Sequence, residues 1–276
     1  MPVSAHLVTV MNTIGLWRHR APGFFARPYT PGVVASPRLQ AFVEESRIER
    51  RSILAFAQQA AQETPRGSSV LDAGAGSAPY RELFGHCDYV AVDWPGSPHL
   101  DQGNVDILAS LEALPLPDAS FDAVLSTQVL EHVPEPATVL RELRRVLVPE
   151  GTLWLTVPFV WELHEEPHDY FRFTVHGLRH LLETTGFADI EVAPRTGFFS
   201  TLAVLTRNCP QIIGSRHDGR QLRRRVAAWR LRRLSRRLER LDGLDVRRAL
   251  PLGYQCRARR PGEGRSEPPA TARGHR

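Results

Sequence analysis

A chain of 276 residues, 42% of them hydrophobic, can bury a substantial core, and this composition excludes both a disordered polymer and a membrane-spanning bundle. The formal net charge is +5, and all 35 basic residues are arginine, with the excess gathered after about residue 216. Three scattered cysteines, Cys87, Cys209 and Cys256, are too few for a disulfide scaffold or a structural zinc site, and no apolar run reaches transmembrane length, so a reducing cytoplasm is the expected compartment.

Residues 1–37 read as an irregular arm punctuated by Pro22, Gly23, Pro28, Pro31, Gly32 and Pro37, whose Trp17, Phe24, Phe25 and Tyr29 could cross a pocket mouth or pack on the body. The apolar start around Leu7 to Leu16 lacks a basic lead and is broken by polar residues, unlike a signal peptide. A helical period runs from Leu39 to Gln62 and stops at Thr64-Pro65-Arg66-Gly67. Strand and helix signals then alternate. Strands are expected at Ser68–Asp72, Tyr89–Asp93, Asn104–Leu108, Phe121–Thr127, Thr152–Val157 and Ala188–Val192. Helices are expected at Tyr80–Phe84, Ala137–Leu147 and Val175–Thr184. This βα spacing predicts a mostly parallel sheet covered on both faces, with a ligand outside the C-terminal ends of its strands. Phe198 to Leu205 fits helix or strand. Arg220 to Leu241 is an arginine-rich amphipathic helix with Val226, Leu231, Leu234, Leu238 and Leu241 approximating one stripe. Gly253 to Ala258 has the length of a final edge strand, and residues 260–276 lack apolar anchors and read as a disordered tail.

The first strand ends in Asp72-Ala73-Gly74-Ala75-Gly76-Ser77-Ala78-Pro79. Gly74 and Gly76 permit a tight turn and close approach of backbone to a ligand. Asp72 can orient the turn's N–H groups or accept a hydrogen bond from a cationic ligand. A nicotinamide-binding turn would need a third glycine at Pro79, which has no N–H to offer a pyrophosphate.

Leu71–Gly76, Asp93 closing the second strand, Asp118–Val124 with Gln128–Val133, and Leu140–Leu153 form a set of four stretches. Together they resemble class I S-adenosylmethionine-dependent methyltransferases of the methyltransferase domain 11 type. The resemblance spans about Ile48 to Val192 and departs at Ala78, where the family often has a third glycine. It implies an α/β Rossmann-like methyltransferase fold with a mostly parallel seven-stranded sheet flanked by helices and an antiparallel final strand. The methyltransferase domain would cover 38–259, including an arginine-rich helical insertion at 207–250. It also implies S-adenosylmethionine as cofactor, with Asp93 on the ribose hydroxyls, Asp106 on the adenine amino group and Ile107 or Leu108 against the ring. Trp94, Gln128 and His132 would complete that pocket, His132 alternatively capping Pro134-Glu135-Pro136.

His164-Glu165-Glu166-Pro167-His168-Asp169-Tyr170-Phe171-Arg172-Phe173-Thr174 follows the fifth strand and should cross the acceptor side. It resembles a signature found in a subset of these methyltransferases. His168 could take a hydroxyl proton, with His164 as second candidate and Asp169 orienting an imidazole or binding the acceptor. Tyr170 and Arg172 could contact the acceptor, Arg172 alternatively pairing with Glu165. The structural alternative is a loop latched by its own ion pairs, with Thr174 capping the next helix. His164 and His168 have the four-residue spacing of helical metal ligands, but Pro167 opposes that geometry and no metal is assigned.

The expected activity is O- or N-methylation of a small-molecule or glycan-related acceptor, oxygen being favoured because a histidine base helps an alcohol more than an amine. Two alternatives are a cofactor-binding partner subunit without turnover and a membrane-surface protein. In the latter, helix 220–241 would meet an anionic bilayer at the inner membrane instead of packing on the sheet between the last strands. Nucleic acid is not expected, because the basic run lacks a recognition module.

Overall fold

The computed structural model describes residues 36–45, 47–100, 103–212 and 221–262. Trp17, Phe24, Phe25 and Tyr29 of the expected arm, and residues 263–276 of the expected tail, lie outside the described residues. The Ser36 hydroxyl accepts the Leu39 N–H at 3.2 Å and Pro37 opens the helix, so capping and a pre-set φ start α1 (Pro37–Glu45) together. The helical period continues as a second element, α2 (Arg47–Glu63).

Seven strands form one sheet: β1 (Ser69–Ala73), β2 (Asp88–Asp93), β3 (Ile107–Leu108), β4 (Phe121–Thr127), β5 (Leu147–Pro158), β6 (Ala188–Pro194) and β7 (Gly253–Arg259). Their order is β3-β2-β1-β4-β5-β7-β6. Strands β1 to β5 pair in parallel, and β7 runs antiparallel to both β5 and β6. The order reverses direction at β1 and β4, and the crevice at such a switch point is where an open α/β sheet receives a ligand.

Alternation along the central strands feeds two cores. Leu71, Ala73, Val124, Leu153, Leu155 and Val157 face α3 (Pro136–Val146) and α4 (Val175–Thr184), meeting Val139, Leu140, Leu143 and Leu178. Val70, Ala123, Leu125 and Trp154 face the other way, toward Leu39, Leu54, Phe56 and Ala57. Leu140 and Leu143 are fully buried, each contributing about 2 kcal/mol of transfer free energy.

Several elements differ from the sequence expectation. The third strand is only Ile107–Leu108: the Asp106 N–H still reaches the Ala91 carbonyl at 2.9 Å, but its carboxylate, not a backbone carbonyl, takes the Ala91 N–H at 2.7 Å, and Arg81 holds that carboxylate and the Asn104 carbonyl. The fifth begins at Leu147, five residues early, because a register shift between Phe121 and Ala123 lets the Pro149–Gly151 turn remain within the pairing. Phe198 to Ile212 is helical (α5), and α6 (Gln221–Glu239) lies along α5 rather than on the sheet. The inward positions of α6 are therefore Leu231, Ser235 and Leu238, while Val226, Leu234 and Leu241 of the expected stripe are exposed. Chain order continues through Arg260, whose N–H reaches the Gly151 carbonyl at 3.0 Å and whose guanidinium donates to the Arg145 carbonyl at 3.0 Å and to that of Leu147. Among the described residues no helix is long and apolar enough to cross a membrane.

Candidate active site

The C-terminal ends of β1, β2, β4 and β5 gather most of the residues singled out from the sequence. Gly74 and Gly76 have φ of +80° and +56°, in the region that favours glycine. A Cβ at Gly74 would lie 2.4 Å from Val129 Cγ2, so the turn after β1 and the segment after β4 touch only because that position lacks a side chain. Ala78, where the family often has a third glycine, takes φ +48° with its methyl buried beside Ala75 and Ala91. The turn therefore forms without that glycine.

Asp93 is buried at the tip of β2. Its Oδ2 accepts the Gly76 N–H at 2.6 Å and its Oδ1 the Trp94 N–H at 2.7 Å. Burial raises its pKa above the ordinary carboxylate value while those two N–H groups oppose the rise. The Ser97 side chain is hydrogen-bonded to the same carboxylate, so of its roughly four acceptor positions one remains for a hydroxyl in the crevice. Trp94 is exposed, folded against Gly96, with its ring centroid 5.4 Å from that of His168.

Asp72 and Asp106 have other structural partners. Asp72 is buried on the α2 face of β1 and accepts a hydrogen bond from the Tyr89 hydroxyl, not from the turn's N–H groups. Burial pushes its pKa up to about 7, the Tyr89 bond only partly offsetting this. Asp106 precedes β3 instead of closing it, accepting from the Ala91 N–H at 2.7 Å and pairing with Arg81 at 2.5 Å. Ile107 beside it packs on the core.

The loop after β5 is latched by its own ion pair. Arg172 spends all five N–H bonds inside the loop, on both oxygens of Asp169 and on the carbonyls of Trp161, Glu162 and Phe171. Asp169 also accepts the His164 N–H at 3.0 Å, and Arg172 holds its carboxyl well below the usual range. Arg172 thus pairs with Asp169 instead of Glu165. Neither group of the pair is left over to act as base or acceptor clamp. Thr174 caps α4, its hydroxyl accepting the Gly177 N–H at 3.0 Å.

The imidazoles remain. His168 is exposed, with Nδ1 3.3 Å from the exposed Tyr170 hydroxyl. His132 and His164 cross edge to face with centroids 4.7 Å apart. Gln128, at φ +55°, follows β4 and, oriented by its hydrogen-bond partners, donates to Glu49 at 3.3 Å and accepts from Thr156 Oγ1 at 3.0 Å.

Sequence reasoning passed over three groups here. His99 places Nε2 2.8 Å from Glu165 Oε1, joining the loop after β2 to the loop after β5. Arg195, fully buried, lies 3.8 Å from Glu49 and donates to Ser52 at 3.0 Å behind Gln128. These contacts join distant segments with no local signal. Glu131 lies within the Gln128–Val133 stretch, and only the fold reveals that its carboxylate is buried.

Residues 71–155 match the family model described as Methyltransferase domain. An uncharacterized methyltransferase of Mycobacterium sp. (strain JLS) is 35% identical over 111 residues, covering 36% of this chain and 44% of the relative. A Mycobacterium tuberculosis (strain CDC 1551 / Oshkosh) protein named "probable S-adenosylmethionine-dependent methyltransferase" is 48% identical over 50 residues, 18% of each chain. The chain thus spans less than half the length of the curated relatives it matches. Among solved structures, the [4+2]-cyclase SpnF superposes with TM-score 0.51 at 20% identity, covering 78% of this chain and 83% of that one. A Haemonchus contortus phosphoethanolamine N-methyltransferase 2, in complex with phosphomonomethylethanolamine and S-adenosylhomocysteine, gives 0.50 at 17%, covering 76% and 52%. At these identities the likeness shows the fold, which is the Rossmann-like one, and a cyclase among its holders shows that the fold alone leaves the reaction open.

Proposed function

Taking residues 71–155 as a methyltransferase domain, we propose that the chain transfers a methyl group from S-adenosylmethionine to an oxygen or nitrogen of a small-molecule acceptor, glycan-related acceptors included. The observation that carries this reading is Asp93: a buried carboxylate at the tip of β2, hydrogen-bonded to the Gly76 N–H and so fixed against the glycine turn. Gly74 and Gly76 keep the turn close to the strand ends, and Trp94 offers an exposed aromatic face beside the carboxylate. Glycine backbone, ribose-directed acid and aromatic wall fit the donor's chemistry, whereas a dinucleotide's pyrophosphate would want a third glycine where this chain has Pro79.

When bound, S-adenosylmethionine supplies a methyl carbon on a sulfonium leaving group: the acceptor–carbon bond forms as the carbon–sulfur bond breaks, the electron pair staying on sulfur. The chain's part is alignment, exclusion of water and removal of the acceptor's proton. His168 is the histidine placed for that last task, exposed between Trp94 and Tyr170 and held by the latched loop. Calorimetry with S-adenosylmethionine and S-adenosylhomocysteine tests the donor assignment, and absence of binding by the folded chain rejects it. His168→Ala should abolish methyl incorporation with donor affinity unchanged.

A second reading concerns location. Val226, Trp229 and Leu234 are exposed on α6 among arginines and Leu241 in the turn after it, with the Arg233 guanidinium 4.2 Å above the Trp229 ring. That surface suits an anionic bilayer, which would bring a lipid-linked acceptor to the crevice. Vesicles containing anionic lipid should retain the chain at low salt and release it at high salt. Equal affinity for neutral vesicles rejects the reading.

A further inference from the structure

Glu131 is buried, its side chain 1% exposed, and neither carboxylate oxygen has a hydrogen-bond partner. A carboxyl in that state is costly unless something else satisfies it. It faces two imidazoles: one donor atom from each of Glu131, His132 and His164 lies within 4.8 Å of the others.

Both rings have a defined outer partner. His132 Nδ1 is 2.7 Å from the His168 carbonyl oxygen and therefore carries the proton, leaving the lone pair on Nε2, which is 3.9 Å from Glu131 and 3.7 Å from Glu165. His164 Nδ1 is 3.1 Å from the Glu162 carbonyl oxygen, so its lone pair is likewise on Nε2. A main-chain carbonyl behind each ring is how metal-ligating histidines are oriented.

We propose that Glu131, His132 and His164 form a binding site for a divalent transition-metal ion of the zinc, cobalt or iron(II) kind. Two neutral imidazoles and one carboxylate suit that class, whereas calcium or magnesium would require more oxygen donors. Donors around such an ion stand about 3.0–3.6 Å apart, so a side-chain adjustment of about an ångström closes the site. Glu165 borders the site, 3.7 Å from His132 Nε2, but its Oε1 is paired with His99 at 2.8 Å. The pair differs from the one that sequence spacing offered: His168 contributes its carbonyl to His132 and turns its ring toward Trp94.

The site adjoins the acceptor loop, so a further ligand would be an acceptor oxygen. That last assignment rests on the transfer reading, but metal binding itself does not.

The test strips the full chain with chelator and titrates it with cobalt(II), following visible absorption and calorimetric stoichiometry. One ion per chain is expected, with affinity falling more than tenfold in Glu131→Gln and in His164→Gln. No uptake by the folded chain, or uptake unchanged in both folded variants, overturns the proposal. Should the variants unfold, X-ray absorption of the loaded wild-type chain decides it: a shell containing two imidazoles supports the site, and one without them rejects it. Donor binding measured on the same samples keeps the two readings separate, because its loss alone rejects the transfer reaction and leaves the metal site standing.

Discussion

Arg172 grips Asp169 with both terminal nitrogens, Nη1 to Oδ1 at 2.5 Å and Nη2 to Oδ2 at 2.8 Å. The carboxylate is 1% exposed and the guanidinium 23%, so removing one partner strands a buried charge. Arg172→Ala should cost about 3 kcal/mol, the low end for buried pairs because water reaches the guanidinium. Arg172→Lys should recover little, since an ammonium cannot supply the fork or reach three carbonyls. Urea unfolding, with proteolysis of the 158–174 loop as a local readout, checks both; a lysine variant as stable as wild type would contradict the latch.

Gly74 makes a sharper case. Its φ of +80° and the 2.4 Å approach of Val129 Cγ2 to any Cβ oppose substitution for separate reasons. Gly74→Ala should therefore destabilise strongly. Adding Val129→Ala should relieve the collision but not the backbone cost of about 1–2 kcal/mol. A double mutant of wild-type stability would show that the backbone there is unstrained. One no more stable than Gly74→Ala alone would show that Val129 is not the obstacle.

Burial holds the Asp72 carboxyl with a pKa of about 7 against an unperturbed 3.8. Folding therefore takes up a proton between those values, and stability falls as pH rises through that window. Asp72→Asn, which can still accept from Tyr89, lacks this dependence. Melting temperatures from about pH 5 to about pH 8 should shift progressively in the variant's favour. Parallel curves would place the ionised form in the folded state.

Asp93→Ala should weaken S-adenosylmethionine binding more than tenfold, about 1.4 kcal/mol, by calorimetry. The same change frees the Gly76 N–H, so circular dichroism must accompany it. Unchanged affinity in a folded variant would reject Asp93 as the donor's anchor.

Much of the architecture was legible because strands buried on both faces and an amphipathic helix leave strong local periods. Phe121–Thr127 and Val175–Thr184 form at the expected bounds, and the final strand pairs antiparallel as the family resemblance implied. The α6 surface was not legible. A periodic stripe gives the apolar residues of a helix but not which of two adjoining faces its neighbour covers, and here α5 covers Leu231 and Leu238 while Leu234 stays exposed. In the site, motif spacing located Asp93 and the histidine loop. It could not say that Arg172 is consumed by Asp169, because the competing partners, carbonyls at 161, 162 and 171, carry no sequence signature.

Arg260 ties the end of α3 to a residue 115 positions downstream of Arg145. During synthesis, that helix emerges long before the guanidinium that adds a second donor to the Arg145 carbonyl, already reached by the Ala119 N–H at 2.9 Å, and β5 emerges before the antiparallel strand that shields its flank. The parallel centre must therefore wait, incompletely sealed, for β7. A ribosome-stalled fragment ending before Gly253 should behave as an exposed-edge intermediate, and a product cut just short of Arg260 should fray first at the tip of α3.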